Sequence, residues 1–492
     1  MLLNDELGNP FRAGSADVRA GINDFIGGLL AYETRAEGIL AAAQAHPDTV
    51  LAQVYAGWLW MFLESPQGPP QARPFLQAAE RALRDQPSAS ASDGAAASPE
   101  ARAAAEREAR HVKLLAHWVD GDVPAAQREA DALIERFPRD LLVVKLRQYF
   151  AFNRGDSPAM LRAILRVLPQ HAENAYAHGM AAFAYEQCHL LEEAEAAARR
   201  ALALRADERE PWAQHALAHV LLTTGRIEEG TRLLEGWRPG WTGLNSFMST
   251  HLAWHLALFY LARGRDEEAL ALYDGAVWGV SRSYSQDQAG AVQLLARLEW
   301  CGVDVGDRWS ELAGFIAERG IDTVEPFLTL LYLYGLARAA RPEAEALLAA
   351  VREADHGRRA VWADVVWPAA NGLVAHARGE PERAWHPLSQ ALPGLVHIGG
   401  SHAQRDLFAL LHVDAATHAG ELVDAQQALE AKRRVDPDEV AINRRLAGIY
   451  RQLDLPTLAD EARRRVARVT RETRVTGVTG VTGVTAESGP RA

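Results

Sequence analysis

Four histidines stand in two pairs of the same spacing, His215 with His219 and His251 with His255. Residues four apart lie on one helical face about one turn from each other, so two such pairs on neighbouring helices could bring four imidazoles together. Imidazole nitrogens ligate zinc, iron or copper. The same rings titrate near neutrality and could move protons on a bound molecule without a metal. A catalytic metal centre usually adds a carboxylate or another ligand, and Glu186, Asp274 and Asp406 are the candidates. The His-Glu-x-x-His pattern of metalloproteases is not among these spacings. The competing structural reading makes the histidines helix-interface residues whose ring nitrogens satisfy nearby hydroxyls or carbonyls, with Trp212 and Trp254 as packing.

A second constellation is the run from Gly399 to Asp406, Gly-Gly-Ser-His-Ala-Gln-Arg-Asp. It reads as a turn with Ser401 or His402 capping a helix that starts near Ala403. His402 and Asp406 again differ by four and join the candidate catalytic groups. Arg405 suits a carboxylate or phosphate at the end of a groove, because a guanidinium recognises planar anions bidentately; the alternative is a plain solvent-facing Arg405-Asp406 pair. Asp274 could orient a histidine or cap the turn that follows it. The sequence contains no Gly-rich phosphate loop, nucleophile elbow or cysteine-histidine signature.

The elements that must position these residues announce themselves by period. Helical hairpins pack closely when the second helix carries a small residue where it crosses the first. Ala126, Met160 and Ala194 recur at a fixed interval, and Gly230, Ala269, Ala344, Ala384, Ala425 and Ala459 extend the register with longer turns in the middle. Around Trp309 one repeat has no small anchor. His178, Ala182, Tyr185, Ala194, Ala198 and Ala201 follow the spacing of a tetratricopeptide repeat, as do Ala425, Ala428, Pro437, Leu446, Ala447, Tyr450 and Ala459. The fold expected is an all-α solenoid of tetratricopeptide-like helical hairpins.

In such repeats the first helix of each hairpin lines the concave groove. Projecting the register gives Tyr176, Gly179, Phe183 and Glu186 on one helix, Trp212, His215, His219 and Leu222 on the next, and His251, Trp254 and Leu258 on the third, with His255 beside them. With Arg405, these define the expected ligand-binding set: Tyr176, Phe183, Glu186, Trp212, His215, His219, His251, Trp254, His255 and Arg405.

Several of these motifs resemble the tetratricopeptide-repeat protein 38 family, also called StaR-like. The resemblance runs from about Leu51 to Val466 and rests on Gly179-Met180, Phe183, Glu186, Ala194-Glu195 and Arg199-Arg200-Ala201-Leu202, then on His215, Ala218-His219-Val220, Gly225-Arg226 and Glu229-Gly230. It continues through Trp241, His251, Trp254-His255-Leu256-Ala257-Leu258, Tyr273-Asp274, Asp307-Arg308-Trp309 and the Gly400 to Asp406 run. It implies a soluble helical-repeat protein; some bacterial members accompany secondary-metabolite genes, where an oxidative tailoring role has been speculated. The chain departs from the family-like pattern at Phe327-Leu328-Thr329-Leu330-Leu331, where an Asp and a His are missing.

The formal charge of −12 is spread among interspersed acids and bases, which argues against a phosphate-tracking surface and hence against nucleic acid. Cys188 and Cys301 are too few for a disulfide framework or thiolate cage and read as structural thiols in a reducing compartment. The opening Met1-Leu2-Leu3-Asn4-Asp5-Glu6 lacks the basic start and apolar stretch of a signal peptide, and no apolar run is long enough for a membrane span. The compartment expected is the cytoplasm. Residues 1–100 form an N-terminal helical region ending in a flexible Ala/Ser-rich loop around Gln86–Gly94, residues 101–470 the solenoid, and residues 471–492 a disordered Val-Thr-Gly tail. The function expected is binding of a peptide or small molecule in the His/Trp-lined groove. The alternative is an enzyme acting on a small metabolite through the same histidines, with a transition metal as the possible cofactor.

Overall fold

The computed structural model describes residues 1–85, 98–205 and 208–481, with side chains as far as Glu472. The chain opens with a two-stranded antiparallel hairpin, β1 (Leu2–Asn4) and β2 (Pro10–Arg12). Among the described residues, the elements that follow it are helices. The first helices are α1 (Val18–Ala31), α2 (Ile39–Ala45), α3 (Val50–Met61) and α4 (Gly68–Asp85). Hairpins follow: α5 (Pro99–Val119) with α6 (Val123–Arg136), α7 (Leu141–Phe152) with α8 (Ser157–Leu165), α9 (Ala175–Gln187) with α10 (Leu191–Ala203), and α11 (Pro211–Thr223) with α12 (Ile227–Trp237). Then come α13 (Ser246–Ala262) with α14 (Asp266–Leu272), α15 (Ser285–Trp300) with α16 (Arg308–Ala317), and α17 (Pro326–Arg338) with α18 (Glu343–Glu353). The short α19 (Arg359–Val361) enters α20 (Trp367–Ala377) through a π-helical turn, and α20 pairs with α21 (Pro381–Ala391). The last pairs are α22 (His402–Ala419) with α23 (Leu422–Val435), and α24 (Val440–Gln452) with α25 (Pro456–Val481).

Local chemistry explains where these helices begin. Asp122, Asp140, Asp156, Asn174 and Asn245 each accept a hydrogen bond from the backbone N–H three residues on, satisfying donors that a helix start leaves free. The predicted anchors do what the period requires. Ala126, Ala194, Ala269, Ala384, Ala425 and Ala459 are fully buried on the second helices of their hairpins. At Gly230 an added Cβ would sit 2.1 Å from the Phe259 ring. The lengthened turns of the middle repeats are present too, at residues 238–245 and 278–284.

The solenoid does not stay open. Residues 32–34 pair with residues 243–245: Thr34 N donates to Gly243 O (3.1 Å) and Asn245 N to Tyr32 O (2.6 Å). Ser285 Oγ donates to Leu63 O at 2.8 Å. From the other end, Arg358 Nη1 donates to Asn153 O (3.2 Å) and Arg297 Nη2 to Ala403 O (2.7 Å). One continuous apolar core therefore runs from Phe11 to Leu411, and a second lies among the C-terminal helices. The N-terminal region shares this core rather than standing apart, with Trp58 stacked on His111 and Arg12 paired with Glu108.

Two sequence expectations fall at the edge of what is described. The Gln86–Gly94 loop lies outside the described residues. The last helix continues to Val481, into the 471–492 segment expected to be a disordered tail, and residues 482–492 again lie outside. Among the described residues no helix is long and apolar enough to cross a membrane.

Candidate functional site

The four histidines converge. His215 and His219 on α11 and His251 and His255 on α13 are all buried, and one ring nitrogen from each lies within 4.8 Å of those of the other three. His215 Nε2 is 3.0 Å from His219 Nε2 and 3.1 Å from His251 Nε2. The two helices are adjacent first helices of successive hairpins, so the spacing of four on each becomes a two-by-two square. Burial, with the neighbouring imidazoles, pulls His215 and His255 well below the usual histidine range and His251 down to about 3. At neutral pH these three rings are uncharged.

Behind the square stands Glu186 of α9, fully buried, with Oε1 3.3 Å from His219 Nδ1 and also in contact with His402 Nε2. Burial pushes its carboxyl up, but the charge and hydrogen bonding of His219 and His402 outweigh that and hold it well below the carboxylate range. Of the three acids considered from sequence, Glu186 alone joins the histidines. Asp274 pairs with Arg308 at 2.7 Å on the surface, and Asp406 pairs with Lys432.

The histidine square divides two cavities. The larger, about 740 Å³, is lined on this side by Phe183, Trp212, His215, Phe247 and His251, together with Ser401 and Gln404 at the start of α22. The smaller, about 320 Å³, takes Leu222 and Leu258 from the last turns of α11 and α13, with Arg297, His402, Asp406 and Lys432. Projecting every concave position onto one groove is thus corrected: early positions of each helix face the large cavity, late positions the small one, and His219, His255 and Glu186 lie between.

Beyond His219, His255 and Glu186, three further expected ligand residues do not reach the large cavity. Tyr176 has the Arg205 guanidinium across its ring at 4.6 Å. Trp254 is wholly buried, stacked parallel to His251 at 5.3 Å, because helical rotation turns it into the core. Arg405 donates to the carbonyls of Gly399 and Gly400 and so ties down its own turn instead of meeting an anion. That turn is dictated by its residues. Gly400 has φ +72°, and a Cβ there would strike the Phe327 ring at 2.8 Å. Ser401 then caps α22 in a reciprocal box with Gln404. The segment Phe327–Leu331 is buried in α17 and contributes to neither the square nor the large cavity.

Other functional groups come from helices that sequence reasoning did not connect. Lys145 of α7 lines the cavity with Nζ 3.9 Å from the Tyr32 ring; burial pulls its amine down, while burial pushes Glu210, the carboxyl that caps α11, up. Gly179 is needed here, since a Cβ would lie 2.6 Å from Glu210 Oε2. At the opposite end Glu64 is buried with a φ of +50°, accepting from Asn153 Nδ2 at 3.1 Å and from Gln286 Nε2. Burial lifts its carboxyl, and lifts Glu325 beside it to about 8 with help from the Glu64 charge. Asp287, pushed up to about 6 by burial, holds the 278–284 segment by accepting from Ser281 N (3.2 Å) and Thr250 Oγ1 (3.1 Å). A lone lysine in the apolar run Leu141–Phe152 and an acid just before Pro211 are signals that could have flagged Lys145 and Glu210; Glu64 offers none. Cys188 and Cys301 are free thiols, and burial pushes Cys301 up to about 12, which keeps it unreactive.

No family model matches the chain. Among solved structures it is similar to a human IFIT1 dimer with PPP-AAAA (12% identity, 82% of this chain and 87% of that one, TM-score 0.38). It is also similar to a Rap protein complexed with competence and sporulation factor (11%, 86% and 98%, TM-score 0.34) and to yeast Tom70 (12%, 76% and 94%, TM-score 0.25). The likeness is one of fold alone.

Proposed function

We propose that this protein binds a small organic molecule in the large cavity, between the wall of Phe183, Trp212, His215 and His251 and the polar end at Glu64, Asn153 and Gln286. The carrying observation is the cavity itself. Its volume of about 740 Å³ falls within the roughly 300–1,000 Å³ of small-molecule sites, and its aromatic walls with a few convergent polar groups have the composition of such sites. Closure of the solenoid by residues 32–34 and 243–245 favours a compact ligand over an extended peptide. Among the lining residues the acids Glu33, Glu37, Glu64, Glu318 and Asp322 outnumber the bases Lys145 and Arg319, a balance that disfavours phosphates and so nucleic acid. The cytoplasm is the proposed compartment, supported by the two free thiols.

The test is a thermal-shift and fluorescence titration with a panel of aromatic metabolites. At least one should raise the wild-type melting temperature and quench Trp212, and Gln148→Trp, which fills the cavity, should abolish both effects. A panel without any stabilising member, and without quenching, overturns the binding reading.

One observation favours a second reading, an enzyme acting on the same molecule: His215 and His251 belong at once to the cavity wall and to the histidine square. His251→Ala would then abolish turnover, whereas a pure binding protein turns nothing over in either form. We also propose that the chain belongs with the tetratricopeptide-repeat protein 38 (StaR-like) proteins it resembles. In support, motifs far apart in sequence, Glu186, His215, His219, His251, His255 and the Gly400–Asp406 run, meet in one place.

A further inference from the structure

The hydrogen-bond inventory of the histidine square does not close. His215 Nε2 lies 3.0 Å from one imidazole nitrogen and 3.1 Å from another, yet a ring nitrogen offers either one proton or one lone pair. It can satisfy one of those neighbours and leaves the second facing a used atom. Beyond that contact, His215 Nδ1 and both nitrogens of His255 are buried without a hydrogen-bond partner among the described residues. Buried polar atoms are almost always paired, and several orphans at one point mark a missing partner. An ordinary packing role for these histidines would supply hydroxyls or carbonyls, and here the rings meet each other instead.

A cation resolves the account. Imidazole nitrogens bound to one first-row metal at about 2.0–2.1 Å, with a tetrahedral angle between them, stand roughly 3.3 Å apart. The two observed separations are close to that figure, and the fourth ring, its centroid 4.5–4.9 Å from those of the other three, offers a nitrogen within 4.8 Å of theirs. The outer shell fits as well. A metal-bound histidine commonly gives its second N–H to a carboxylate, which orients the ring and raises its donor strength. Glu186 Oε1 is 3.3 Å from His219 Nδ1, on the far side of that ring from the Nε2 that meets His215. Glu186 is itself fixed by His402 and by Gln187 Nε2 at 2.6 Å.

We propose that His215, His219, His251 and His255 bind one divalent first-row transition-metal ion, with Glu186 as the positioning residue behind His219. Neutral nitrogen donors without thiolate suit zinc, iron, copper or nickel rather than magnesium or calcium. His215 and His251 also line the large cavity, so the ion lies directly behind that wall, where a donor atom of a bound molecule can complete its coordination. This last step rests on the small-molecule reading above; the metal site does not.

The full chain, purified without added chelator, is assayed by elemental analysis, then stripped with dipicolinate and titrated with Co²⁺. About one transition-metal ion per chain is expected. The stripped protein should take up one Co²⁺ with visible ligand-field bands, and X-ray absorption should count three to four imidazoles. His255→Gln should abolish uptake, and Glu186→Gln should weaken it roughly 10- to 100-fold with the bands shifted but present. Circular dichroism identifies variants that fail to fold; for those the wild-type titration and absorption spectrum decide. No stoichiometric metal together with no Co²⁺ uptake by the stripped wild type overturns the proposal, as does a bound ion with fewer than three imidazoles. The metabolite panel is run on stripped and loaded protein in parallel. Ligand stabilisation without metal uptake refutes the metal centre and leaves the binding reading standing, and metal uptake without any stabilising ligand does the reverse.

Discussion

At the scale of single residues, burial decides the charge state of the cavity. Glu64 lines its polar end with Glu325 beside it, and burial with repulsion from the Glu64 charge raises Glu325 to about 8. A carboxyl raised in the folded chain keeps a proton that the unfolded chain has already released. Stability therefore falls as pH rises from the ordinary carboxylate range through about pH 8, and levels off above it. Glu325→Gln supplies the neutral form permanently. Its melting temperature relative to wild type should rise between about pH 6 and about pH 9, and a gap that stays constant would show that Glu325 is ionised throughout. Gly400 offers a complementary test of strain. Gly400→Ala meets both the positive φ and the Phe327 ring, and should cost about 2 kcal/mol or more in chemical denaturation. Loss of α22 capping would follow, since Ser401 is placed by that turn.

The same residues explain what could be seen in the sequence. The four imidazoles were legible because their spacing of four and the repeat register are both local properties, and α11 and α13 keep that register. Trp254 was misplaced by the same reasoning: one position away from His255, it rotates into the core, and a projection that treats the concave face as a single surface does not separate the two. Glu64 was invisible because its partner Gln286 lies far along the chain and only closure of the solenoid brings them together.

At the scale of elements, the junction of the N-terminal hairpin, α3, α5 and α7 is held by a buried charge network. Arg107 is fully buried between Asp5 (3.0 Å) and Asp140 (2.8 Å), with Tyr55 Oη at 3.2 Å, and His111 Nε2 lies 3.3 Å from Asp140. Two carboxylates around one guanidinium leave no room for removing the cation alone. Arg107→Ala strands both acids without solvent and should destabilise the fold by about 3–5 kcal/mol. Arg107→Met together with Asp5→Asn and Asp140→Asn should recover much of that loss. Urea denaturation of the single and triple variants checks the order. A smaller cost for Arg107→Ala than for the triple variant would mean that the network is solvated.

At the scale of the whole molecule, a helical-repeat chain is normally a one-dimensional array in which each repeat feels only its neighbours and protection decays from the ends inward. Here contacts skip many repeats. Residues 32–34 pair with residues 243–245, Leu63 meets Ser285, Asn153 meets Arg358, and Arg263 meets Asp436 at 2.6 Å. The cavity exists because of these closures, since its walls come from α3, α7, α9, α11, α13 and the 278–284 segment at once. Destabilising one end should then loosen the middle. Phe25 is fully buried and stacked on Tyr55 at 4.9 Å, far in sequence from the histidine square. Phe25→Ala opens a cavity in the N-terminal core at a cost of about 3–5 kcal/mol. By closure, that loss should appear in hydrogen exchange as faster opening of α13 as well as of α1 and α3. In an open array the effect would fade within the next hairpin, and α13 would exchange at its wild-type rate. Equal loosening of α1 and α13, with α24 and α25 unchanged, would locate the cooperative unit in the closed part of the solenoid, where the candidate site lies.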